Sequence, residues 1–138
     1  MNTCPYIVNA SNTPTAGTLQ TAFNYFNGTL PGYSSPISAL CQRNFIIYAT
    51  DGLPSTFING SQPTPVPAVM SSLLQEVIQQ LNNLQAGVTQ TIATTPPTSQ
   101  TFPIKTYVLG MGLTAEAKTN LDQMAVAGGT VTSAGHAY

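Results

Sequence analysis

Carboxylates are so scarce in this chain that each has to be weighed as chemistry: Asp51, Glu76, Glu116 and Asp122 are all there are. Asp51 stands out by position. The run Asn44-Phe-Ile-Ile-Tyr-Ala-Thr50 is apolar almost throughout and stops abruptly at Asp51-Gly52. Such a run suits a strand buried on both faces of a parallel sheet, and the residue where it stops lies at the sheet's carboxyl edge, the usual ligand crevice of open α/β folds. Asp51 is therefore the first candidate for function, the plainer alternative being an Asx-type turn residue ahead of Gly52. The other reactive residue types offer less. His136 is the sole histidine and stands beyond any recognisable motif, which reads as a terminal surface residue. Gly110-x-Gly112 has its third dinucleotide-loop position at Ala115, with no acidic residue some ~20 positions on. There is no Gly-x-Ser-x-Gly elbow, so a hydrolase would have to build its triad on His136 alone, and the chain does not read as an enzyme.

Cys4 and Cys41 are the only cysteines. They could close one bridge around a loop of about 37 residues, in an oxidising compartment, or stay as two buried thiols in a reducing one. Composition favours the first setting. Charged residues make up 5% of the chain, against about 25% in ordinary domains, and Ser, Thr, Asn and Gln keep the surface wet instead. That is a common composition among exported proteins, and it predicts an extracellular, surface-displayed chain. A formal net charge of −1 gives nothing that would draw the chain to nucleic acid or to an anionic membrane. No stretch approaches the ~20 apolar residues a membrane helix needs, and no export signal stands at the N-terminus.

The elements that must position Asp51 can be read from periodicity. At 138 residues with 42% hydrophobic content, one domain spanning 1–138 with an ordinary core is expected. Thr13 can cap a helix that Pro14 opens, and Leu19, Ala22, Phe23 and Phe26 recur at helical spacing until Asn27-Gly28, giving a helix over 14–26. A loop over 28–40 leads to the strand at 44–50. Residues 54–67 hold four prolines and read as a long loop leaving the Asp51 edge. Val66, Val69, Met70, Leu73, Leu74, Val77, Ile78, Leu81 and Leu84 then form a strong helical stripe that Gly87 ends. Residues 88–101, rich in Thr and broken by Pro, read as a surface loop. A second buried strand is expected from Ile104 to Met111, then a helix opened by Thr114 and closed by Gly128-Gly129, then a last short strand over 130–134. Helices alternating with strands call for parallel strands joined by right-handed crossovers, an α/β fold with a doubly wound, mostly parallel sheet and flanking helices.

Four segments in this order carry a resemblance: Thr13-Pro-Thr15-Ala-Gly-Thr-Leu19; Asn44 through Asp51-Gly-Leu-Pro-Ser55; Ile104-Lys-Thr-Tyr-Val-Leu-Gly-Met-Gly112; and Ala125-Val-Ala-Gly-Gly129. Together they resemble the later motifs of a von Willebrand factor A domain, similar to those of type IV pilus tip adhesins. The resemblance implies a metal-ion-dependent adhesion site at the sheet's carboxyl edge. There, Thr13 matches the family's ligating threonine and Asp51 its second aspartate. The family's Asp-x-Ser-x-Ser motif does not occur in this chain, nor does the strand before it, so the likeness covers the C-terminal half to two-thirds of such a domain.

That resemblance implies a cell-adhesion module of a pilus or fimbrium, holding Mg²⁺ (or Ca²⁺ or Mn²⁺) weakly and binding a protein partner, a host-surface ligand or other pilus subunits. A hard cation of this kind takes oxygen ligands and keeps several waters, so one hydroxyl and one carboxylate can form only part of its shell. A metal-free structural half-domain is the alternative. The missing strand also predicts that the edge of residues 44–50 is left open, to be covered by self-association, by a strand from elsewhere in an assembly, or by the Tyr6-Ile7-Val8 run folding back. A Cys4–Cys41 bridge would pin the Thr13 loop against the sheet.

Overall fold

The computed structural model describes residues 12–50, 53–64, 66–111, 114–131, 134, 136 and 137. Asp51, Gly52, Cys4, Gly112 and the Tyr6-Ile7-Val8 run lie outside the described residues. The chain is a mixed α/β domain whose small parallel sheet is flanked by helices.

Helix α1 spans Thr15–Asn27 and buries Thr15, Ala16 and Leu19. The helix begins one residue later than the sequence suggests: Pro14 holds the N-cap position and no side chain caps it, so Thr13 stands outside the helix and is not its cap. Strand β1, Asn44–Thr50, follows the intervening loop. A 3-10 turn at Val66–Val69 leads into α2, Met70–Ala86, whose stripe buries Leu73, Leu74, Val77, Leu81 and Leu84. That spacing keeps five apolar side chains on one face over about three turns, and α2 packs on α1, α3 and the sheet.

Residues 88–101 are not the surface loop their Thr and Pro content suggests. They form a β-hairpin, β2 (Val88–Ile92) with β3 (Thr98–Phe102), in antiparallel register from Val88↔Phe102 to Ile92↔Thr98. Val88, Ile92 and Phe102 enter the core, while Thr89 bonds Thr101 at 2.9 Å and Thr91 bonds Ser99 at 2.7 Å on the wet side. β-branched threonines suit a strand with one solvated face, and hydroxyl pairs across it satisfy each other. One residue, Pro103, separates β3 from β4, which runs Ile104–Gly110. Helix α3, Ala115–Ala127, starts as expected, with the Thr114 hydroxyl accepting from the Ala117 N–H. The last strand expected over 130–134 does not form at Thr130, Val131 or Ala134; residues 132 and 133 lie outside the described residues.

β1 and β4 pair in parallel, from Asn44↔Ile104 to Thr50↔Gly110. The crossover between them carries both α2 and the hairpin. Ile104, Thr106 and Val108 face the helices and are fully buried, with Ile46 and Tyr48 packed beside them. The odd-numbered residues of β1 point the other way: Phe45 is 50% and Ile47 72% exposed. A doubly wound sheet has helices on both faces; among the described residues one face is covered. The outer side of β4 is closed at Thr106, whose N–H donates to Gly128 O at 3.0 Å and whose carbonyl accepts from the Thr130 hydroxyl. No described strand pairs the outer side of β1.

Candidate functional site

At the carboxyl edge, the loop that opens α1 is stitched to the loop that leaves β1. The Thr13 N–H donates to Ser55 Oγ at 2.8 Å, and the Ser55 N–H donates back to Thr13 O at 3.1 Å. At the first residue of the helix, the buried Thr15 hydroxyl meets Tyr48 Oη at 2.8 Å, tying α1 to β1 itself. The strand end and the helix entry are thus neighbours. No hydrogen bond among the described residues engages the Thr13 hydroxyl, and Thr13 is half-buried. Thr13 O also accepts from the Thr15 N–H at 3.0 Å, so the loop is held by its backbone and leaves this side-chain oxygen available.

The acids divide by role. Glu76, on α2, accepts the Ile58 N–H at 2.7 Å and so anchors the proline-rich loop leaving the edge. Asp122, on α3, accepts from the Ala137 N–H at 2.7 Å and lies 2.8 Å from His136 Nδ1. The hydrogen bond from His136, with that from Ala137 behind it, holds the Asp122 carboxyl below the usual carboxylate range. Gly110, Lys118, Thr119, Asp122 and His136 line a cleft of about 580 Å³ at the carboxyl end of β4. Sequence reasoning set His136 aside, because nothing in a spacing of fourteen residues signals a pair that forms across the turn after α3. With His136 66% exposed, the pair clasps the C-terminal stretch to α3.

Of the residues singled out in the sequence, Thr13 is bonded through its backbone to Ser55 on the loop that leaves β1, and Asp51 lies outside the described residues. Cys41 is an exposed, free thiol at the opposite end of β1; its suggested partner Cys4 lies outside the described residues. Among the described residues no group of three or more His, Cys, Asp or Glu side chains could enclose a metal, and no helix is long and apolar enough to cross a membrane. Comparison with protein-family models, curated proteins and solved structures returned no significant match.

Proposed function

We propose that this chain is an adhesion or interaction module of von Willebrand factor A type, similar to those at type IV pilus tips and displayed at the cell surface, that meets its partner through a divalent cation at the carboxyl edge of the sheet. In this reading the described β1–β4 pair and its helices are the later part of a doubly wound domain. The observation that carries it is the Thr13–Ser55 stitch: it sets the threonine loop beside the loop that leaves β1, as a site drawing ligands from both loops requires. The donor set fits in kind. The uncommitted Thr13 hydroxyl and an Asp51 carboxylate are hard oxygen donors suited to Mg²⁺ or Mn²⁺, and water or a partner's carboxylate would have to complete the shell. The cation supplies the charge that a partner oxygen recognises; Thr13 and its stitched loop supply position.

The test is titration of Mg²⁺ into isotope-labelled protein, following the backbone amides of Thr13 and Ser55. Saturable shifts at these amides are expected, weakened by about tenfold or more in Thr13→Val and Asp51→Asn, the usual scale for losing a metal-site oxygen. No saturable shift, or the same shift in both variants, overturns the metal reading in favour of a metal-free structural half-domain.

A further inference from the structure

At the opposite end of the sheet from Thr13, a second cleft of about 530 Å³ opens beside the first residues of β1 and β4, lined among others by Arg43, Asn44, Phe45, Gln100, Lys105 and Tyr107. Small-ligand sites occupy about 300–1,000 Å³. Lys and Arg number three in the whole chain, and two of them line this one cleft. Both are exposed, and neither forms an ion pair with a carboxylate among the described residues. In a chain that avoids charge almost everywhere, two uncompensated cations sharing a concavity create a local positive field that nothing described nearby neutralises.

The rest of the lining narrows the ligand. Phe45 and Tyr107, adjacent across the β1–β4 pair, have ring centroids 6.1 Å apart at 52°, and Phe45 is half exposed. They give the cleft an apolar wall. A guanidinium and an ammonium offer donors and no acceptor. Oxygen acceptors bearing negative charge answer both, and the planar guanidinium fork matches a carboxylate in particular.

We infer that the cleft at the amino end of the sheet binds a peptide segment through an acidic side chain, the carboxylate held by Arg43 and Lys105 and the neighbouring apolar side chain laid on Phe45 and Tyr107. This site is separate from the carboxyl edge and needs no metal, so peptide binding here and cation binding there are read by separate measurements. The test uses the full chain in the presence of a chelator and a doubly blocked pentapeptide, acetyl-Thr-Val-Glu-Phe-Thr-amide, followed by calorimetry and by the amide shifts of Phe45 and Lys105. Saturable binding is expected, about tenfold or more weaker for the same peptide with Gln in place of Glu, and similarly weaker for Arg43→Gln and for Lys105→Gln. Both positions are exposed, and an unchanged melting curve confirms that each variant is folded. Equal binding of the Glu and Gln peptides, or unchanged affinity in both variants, overturns the assignment. So does an unblocked Gln peptide that binds as tightly as the Glu peptide, which would assign the cleft to chain-terminal carboxylates instead.

Discussion

Thr106 shows how a single side chain can be both well placed and poorly satisfied. It is fully buried in β4, and its backbone is bonded on the outer side to Gly128 and Thr130, yet its own hydroxyl has no partner. A buried hydroxyl without a hydrogen bond costs about 1–3 kcal/mol, and valine keeps the same shape and branching. Thr106→Val is therefore expected to raise stability by about 1 kcal/mol, read as a higher urea midpoint at unchanged slope. Asp122 gives the second expectation at this scale. Its folded pKa is depressed by His136 and Ala137, so the stability it contributes is present above the ordinary carboxylate range and is lost as pH falls through the lowered value. An acid titration should release the Ala137 amide signal below pH ~4, before the core unfolds, and Asp122→Ala should release it at neutral pH. Single-residue features were legible only where the partner was local. Thr114 capping α3 follows from Thr preceding a helical stripe, whereas Asp122–His136 depends on a turn no spacing rule encodes. Thr13 reads as a helix cap in sequence and is displaced from that role by Pro14.

At the scale of elements, the long apolar periods spoke clearly. The stripe from Leu73 to Leu84 and the runs 44–50 and 104–110 appear where their spacing puts them, because burial and period act together over many residues. The hairpin was hidden because its outward residues are Thr and Ser, and its inward face sets the polar Gln90, Thr98 and Gln100 among only three apolar residues, Val88, Ile92 and Phe102. Sparse apolar content with nearby prolines resembles a loop until the α1 neighbour is known: the Gln90 amide donates to Asn27 O at 3.0 Å, docking the hairpin on the helix end. The joint between α2 and that hairpin is Gly87, at φ +93°, where an added Cβ would stand 2.5 Å from Phe102 O. Backbone strain and a clash with a carbonyl act together, so Gly87→Ala is expected to cost roughly 2–3 kcal/mol. Thermal unfolding checks this, and a loss below ~0.5 kcal/mol would mean that the joint relaxes freely.

For the molecule as a whole, the informative feature is asymmetry. Helices cover one face of the β1–β4 pair, while Phe45 and Ile47 look outward and no described strand lies on the outer side of β1. Parallel sheets are ordinarily buried on both faces, and an open apolar strand invites another chain. Ile47→Thr is accordingly expected to change stability by less than ~0.5 kcal/mol, as exposed substitutions do, while reducing any concentration-dependent association seen by analytical ultracentrifugation. An equal association constant in both proteins would show that this strand is not the sticky element. The apolar run at 44–50 announced the strand but not which face would stay uncovered, since a period of one residue type looks the same from either side.

The parallel ladder joins positions sixty apart throughout, Asn44 to Ile104 and Thr50 to Gly110. Closing so long a loop is entropically unfavourable until something shortens it, and the chain between the strands supplies its own shortening. Helix α2 and the hairpin are both local and can form early. Because Pro103 alone separates β3 from β4, a completed hairpin delivers β4 already extended beside the helix it will cover. The sheet is then expected to close last in time, although its first strand is made before the segments that close it.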